Sequence, residues 1–140
     1  MRLVLDTNVI VAAMRSPLGA SAAILRSARR GQVVIVGSVA LAIEYEAVCN
    51  RPEHKAAAGL TSGDVSLLLD VVIAMMEPIE THFMWRPQLR DPGDEFVLDL
   101  AVNGRVDAIV TFNGRDFEAA PAQFGISVLT PAQTLMRMKS

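Results

Sequence analysis

Four short stretches of this chain set carboxylates among residues that could serve chemistry: LVLDTN (3–8), AIEYE (42–46), DPGDEF (91–96) and TFNGRDF (111–117). Acids gathered in one place repel and raise one another's pKa unless a cation neutralises them. Oxygen ligands without a companion set of histidines or cysteines suit a hard divalent cation, Mg²⁺ or Mn²⁺, and an acidic site holding such an ion is typically built for phosphate chemistry. His54 and His82 stand alone and Cys49 has no companion, which argues against zinc. The chain carries no Walker-type loop, no GxGxxG and no GxSxG elbow.

Each acid also has an ordinary account. Asp6 directly follows the apolar run Leu3-Val4-Leu5 and can serve as the N-cap of the next helix. Glu44 falls inside the helical stripe Leu41, Tyr45, Val48, where a carboxylate is costly unless an arginine or a metal partners it. Glu46, about 200° further round the helix, is expected to face solvent. Asp94 lies one turn before the stripe Val97, Leu98, Ala101. Helix-start chemistry explains it equally well, with Asp91 as N-cap and Pro92 at the first helical position. Glu95 and Asp99 are expected to point away from that stripe into solvent. Asn113-Gly114 is a strong turn dipeptide, and Asp116 can cap the short helix after it.

The elements that must carry these residues follow from hydrophobic periodicity and breakers. Strands are expected over 2–5, 32–36, 107–112 and 126–130, with another near 79–86. Helices are expected over 7–14, about 20–30, up to about 50, 64–76, about 92–103 and from Pro131 onward, with a weaker helical stretch at 53–58. Alternation of this kind argues a parallel sheet covered on both faces. Ligands then bind outside the carboxyl ends of the strands, where Asp6, Thr111, Asn113 and Asp116 emerge.

At 140 residues the chain is read as one domain, 1–140, large enough to bury a core. Half of it is hydrophobic, 51%, and the mean hydropathy is +0.35, yet no apolar run approaches the roughly 18 residues of a membrane helix. No signal peptide is expected, and the single Cys49 suits a reducing cytoplasm. The surplus apolar surface suggests a dimer or a partner interface. Net charge is −2, so an overall basic footprint is missing. Arg26, Arg29 and Arg30 in RSARRG nevertheless share a helix face that can hold phosphate or simply be solvated.

Four blocks, VLDTNVIVAA, SVALAIEYEAVCNRPE, RDPGDEFVLDLAV and AIVTFNGRDF, make the sequence resemble the PIN domain family (PilT N-terminus). The likeness is to the small prokaryotic kind found as toxins of toxin–antitoxin pairs, and it covers nearly the whole chain. It implies a three-layer α/β/α sandwich around a central parallel sheet, and a Mg²⁺- or Mn²⁺-dependent ribonuclease. Carried over, the family's acids fall on Asp6, Glu44, Asp94 and Asp116, with Thr7, Asn8, Thr111 and Asn113 as polar support. Arg115, or the group Arg26, Arg29 and Arg30, would hold the RNA phosphates. A homodimer and a cognate antitoxin covering the acidic groove are also implied. Many relatives carry an aspartate where this chain has Asn113.

Two alternatives of other classes remain open at this level. Asn113 motivates a catalytically silent member of the same fold that binds RNA or protein. A receiver-type phosphoacceptor would need an acidic pair after the first strand and a lysine after a late one, whereas Asp6 is single and Lys55 and Lys139 are the only lysines.

Overall fold

The computed structural model describes residues 1–80, 92–117 and 119–139, with only the backbone of residues 92, 93 and 95. Its frame is a five-stranded, all-parallel sheet. The strands are β1 (Arg2–Leu5), β2 (Val34–Gly37), β3 (Met76–Pro78), β4 (Ala108–Val110) and β5 (Ser127–Leu129). Leu3, Val4 and Leu5 are fully buried, as are Ile109 and Val110 of β4. Strands buried on both faces read as continuous apolar runs rather than alternating ones, which is why LVL and AIV stand out in the sequence.

Helices cover both faces of the sheet, giving the expected α/β/α sandwich. They are α1 (Thr7–Arg15), α2 (Ala20–Arg29), α3 (Val39–Cys49), α4 (Pro52–Ala58), α5 (Ser62–Met75), α6 (Pro92–Asn103) and α7 (Pro131–Met138). Several ends carry the caps their sequences encode. Ser38 accepts from the Leu41 N–H at the start of α3. Thr61 with Asp64, and Thr130 with Gln133, form reciprocal capping boxes on α5 and α7. The stretch 53–58 is a full short helix with Pro52 in its first turn, closed by Gly59 in the left-handed region at φ 69. Short 3₁₀ turns span Gly114–Phe117 and Pro121–Phe124.

The sheet order is β3-β2-β1-β4-β5. The chain therefore builds outward from β1 in one direction through β3, then returns to β1's other side to lay down β4. Leu3, Val4 and Leu5 pair with Ala108, Ile109 and Val110. The order reverses between β1 and β4, and the crevice at the carboxyl ends of those two strands is where open α/β sheets bind ligands.

Three expectations are corrected. The helix expected over 64–76 ends at Met75, and Met76 instead opens the strand Met76–Pro78, where it pairs with Ile35. Residues 79 and 80 are outside any strand, and 81–86 fall outside the described residues. The apolar run before it gives no signal for the change, because VVIAMM suits a helix and a buried strand equally. The lack of a side chain on Gly37 admits the Met76 side chain, whose Cε lies 1.7 Å from where a Cβ would stand. Asp99, expected in solvent, is 1% exposed, because α6 packs against the sheet with more than the stripe Val97, Leu98 and Ala101. Glu44 is half-buried at the margin of its stripe rather than enclosed within it.

Candidate active site

The end of β1 is held to the end of β4 by backbone. The Asp6 N–H donates to the Val110 carbonyl at 2.9 Å, and the Thr111 N–H donates to Leu129 at 2.9 Å. The first residues beyond the two strands are thereby set side by side across the crevice. Asp6 takes an extended conformation and caps α1, its Oδ1 accepting from the Thr7 N–H at 2.9 Å. Its other oxygen accepts from the Thr111 hydroxyl at 2.7 Å, with the Asn8 amide further off at 3.5 Å. One oxygen of Asp6 thus starts the helix, while the other takes the Thr111 hydroxyl at the crevice.

Around that carboxylate the polar residues form a connected lattice. Asn8 donates to Thr111 Oγ1 at 3.4 Å and accepts from the Phe112 N–H at 3.3 Å. Thr111 Oγ1 also accepts from the Asn113 N–H at 3.0 Å, and Asp116 N–H donates to the Asn113 carbonyl at 3.0 Å. Asn113 thus contributes through its backbone, shaping the turn that carries Arg115 and Asp116, both exposed. On the other side, the Thr7 hydroxyl donates to Glu44 Oε2 at 2.6 Å.

Burial raises the pKa of Asp6 above the usual carboxylate value. The bonds from Thr111 and Thr7 oppose the shift, and the charges of Glu44 and Asp116 add to it. Glu44 on α3 and Asp116 on the turn after β4 are therefore close enough for Asp6 to feel their charge. Asp94 lies half-buried in the first turn of α6. Two residues on, Phe96 shares a cavity of about 280 Å³ with Glu44, Leu41 and Ile43. Among the described residues, neither Asp6 nor Glu44 is paired with an arginine or lysine; Arg2–Glu77 is the ion pair found there. Nor do three or more His, Cys, Asp or Glu side chains among those residues stand close enough to hold a metal ion as they are.

Arg26, Arg29 and Arg30 are not brought to this crevice. They lie in the last turn and at the end of α2, which leads into the start of β2 at the opposite, amino edge of the sheet. Arg26 there donates to the Pro17 carbonyl at 2.8 Å.

One contributor was not legible as such. Tyr45, read as part of an apolar stripe, is fully buried, and its hydroxyl donates to the Leu5 carbonyl, one residue before Asp6. Burial, reinforced by the charges of Asp6 and Glu44, raises its pKa well above the usual value, so it remains a donor. It ties α3 to the end of β1 and so sets where Glu44 stands. Only its place beside Glu44 in sequence hinted at this.

The sequence matches the PIN domain family over residues 2–115. The chain belongs to that family. Among solved structures, this PIN domain is similar in fold to VapBC2 from Rickettsia felis, in a crystal structure bound to a DNA fragment from its promoter. The TM-score is 0.67 at 16% identity, covering 93% of this chain and 98% of the other. None of the curated proteins matches the sequence. Among the described residues, no single helix is long and apolar enough to cross a membrane.

Proposed function

We propose that this PIN domain is a metal-dependent endoribonuclease, the toxin of a toxin–antitoxin pair, with Asp6, Glu44, Asp94 and Asp116 as its acidic centre. The observation that carries the reading is the state of Asp6. Its carboxylate sits at the topological switch point, its pKa is raised, it feels two further acids, and no described basic side chain pairs with it. Charge left uncompensated in a half-buried crevice suits an added cation.

The donor set fits such an ion. The candidate ligands are all carboxylate oxygens, as Mg²⁺ or Mn²⁺ prefers, with no histidine or cysteine among them. When bound, the cation supplies charge stabilisation for a phosphodiester and lowers the pKa of attacking water. The chain's own residues do the positioning. Thr111 and the Thr7 N–H orient the two oxygens of Asp6, Thr7 orients Glu44, and Asn8 links Asp6 to the turn carrying Asp116. Arg115, exposed on that turn, is suited to hold a backbone phosphate. Arg26, Arg29 and Arg30 would serve RNA only where it extends round to the far edge.

The partners in this reading are RNA as substrate, a cognate antitoxin and a second copy of the chain, in the cytoplasm. The likeness to a VapBC complex supports an antitoxin. Exposed Val39 and Ile43 on α3 and Leu67 and Val71 on α5 offer apolar surface for protein contacts. The test is cleavage of single-stranded RNA with Mg²⁺ or Mn²⁺ by the wild type and by Asp6→Asn and Asp94→Asn. Cleavage should vanish in both variants and in EDTA, with far-UV circular dichroism unchanged. Cleavage that survives both substitutions, or persists in EDTA, would refute the assignment. Asn113, an amide where many relatives place an acid, keeps the silent RNA- or protein-binding module as a second reading. Titration calorimetry showing no Mn²⁺ binding would favour it.

A further inference from the structure

A cavity of about 940 Å³ opens at the amino edge of the sheet, the end away from the acids. Residues at the amino ends of β1, β4 and β5 and in the last turns of α2 and α7 line it, and its volume suits a small-molecule ligand. Its polar residues are linked one to the next. Arg137 on α7 donates to Ser127 Oγ at 3.0 Å, the Ser127 N–H donates to the Asp107 carbonyl at 3.1 Å, and Asp107 Oδ2 accepts from the Arg2 N–H at 2.7 Å. Arg137 and Asp107 are therefore joined through Ser127, both exposed and both lining the cavity, without forming an ion pair. Lys139 lines it as well, also outside any ion pair found among the described residues. Cations at the carboxyl end of α7 are favoured by the helix dipole. That account still leaves Nη2 of Arg137, the Lys139 ammonium and Asp107 Oδ1 without a hydrogen-bond partner among the described residues.

We propose that this cavity binds a mononucleotide, with its phosphate at Arg137 and Lys139, its ribose hydroxyls at Asp107 and its base against Met1, Leu135 and Met138. Two cations beside one carboxylate suit a dianion, which a phosphomonoester supplies and a carboxylic acid does not. A bare anion would meet Asp107 as a like charge, so the ligand must also bring hydrogen-bond donors, as ribose hydroxyls do. Carboxylates hold ribose hydroxyls in this way in dinucleotide sites. Met1, Leu135 and Met138 give the cavity its apolar lining, and thioether side chains adapt their shape to a flat base. The site lies apart from the acidic crevice, with the length of β1 and β4 between them, and does not depend on the nuclease reading.

The experiment titrates the intact chain with AMP, ribose 5-phosphate and inorganic phosphate by calorimetry in EDTA. Without a cation the acids of the crevice repel phosphate, which confines binding to the amino edge. AMP should bind at submillimolar concentration, ribose 5-phosphate more weakly and inorganic phosphate weakest. Arg137→Gln should weaken AMP roughly 10- to 100-fold, and Lys139→Gln roughly two- to fivefold because the ammonium is exposed. Asp107→Asn keeps an acceptor for the Arg2 N–H; it should tighten inorganic phosphate and weaken AMP. The amide resonances of Gln32, Gly125 and Ser127, which line the cavity, should shift during the titration. Inorganic phosphate binding as tightly as AMP would reduce the cavity to a plain anion site and overturn the proposal. So would AMP affinity that is unchanged in Arg137→Gln, or no AMP binding at millimolar concentration by a chain whose amide spectrum shows it folded. Mg²⁺-dependent RNA cleavage by the two cation variants should match wild type. A loss of cleavage there would make Arg137 and Lys139 part of an RNA surface, and a separate nucleotide site would fall.

Discussion

The Thr7 hydroxyl donates to Glu44 Oε2 at 2.6 Å, joining the first residue of α1 to the middle of α3 across 37 positions of sequence. Both ends of this bond matter to the crevice, because Thr7 also gives its backbone N–H to Asp6. One residue therefore orients two carboxylates.

Replacing Thr7 by valine keeps the shape and removes the donor. Glu44 is half-buried and can turn to water, so the stability cost should stay below about 1.5 kcal/mol. Cleavage should fall about ten- to a hundredfold through misplacement of Glu44, and Thr7→Ser should restore most of it. A paired thermal melt and RNA-cleavage assay checks this; equal activity in the valine and serine variants would remove Thr7 from the positioning lattice.

Asp6→Asn should raise the melting temperature of metal-free protein at neutral pH. The sign follows from the raised pKa of Asp6 in the fold. As pH climbs from the unfolded carboxylate's value, the unfolded chain loses its proton first. Stability is thus lost as pH rises through the folded pKa, and the loss is complete above it. The asparagine keeps the helix cap and escapes that penalty. The gain should be a few degrees near pH 7.5, shrink toward pH 4 and disappear when a divalent ion stabilises the wild type. Melts across that pH range in EDTA, then with Mn²⁺, provide the measurement.

Tyr45→Phe leaves the Leu5 carbonyl without its side-chain donor in a fully buried place. A loss of about 1–3 kcal/mol is expected, lowering the melting temperature by roughly 3 °C per kcal/mol. Cleavage should fall as well, because α3 is no longer held to the strand end that presents Asp6. Denaturant unfolding and kcat on the same preparation test both effects.

Cys49 should be silent toward thiol reagents in the native state. It is fully buried, and burial pushes its thiol up to about 11. At pH 8 only about one molecule in a thousand would carry the thiolate even if the reagent could reach it. Labelling by an aromatic disulfide should therefore track unfolding and accelerate with denaturant. Prompt native-state labelling at pH 8 would contradict the burial.

Much of this was legible along the chain because it depends on near neighbours. Leu3-Val4-Leu5 announces a buried strand, and Pro131 announces the start of the last helix. The placing of Asp6, Thr111 and Asp116 beyond strand ends also follows, since a parallel α/β pattern says where strands finish. Met76–Pro78 was missed because an apolar run has the same local energetics in a short edge strand as at a helix end. The burial of Asp99 was missed because periodicity marks the centre of a buried face, not its width.

By itself, then, the sequence determined the element order, the parallel sheet and the four acids with their hydroxyl and amide neighbours. Only the tertiary structure decided that β4 returns beside β1, so that Thr111 meets Asp6. It also decided that Tyr45 latches α3 to Leu5, and that Arg26, Arg29 and Arg30 lie at the far edge. The reason is physical: periodicity and capping are set within a few residues, whereas strand order and the charge one acid feels from another are set by residues some 40 to 110 positions away.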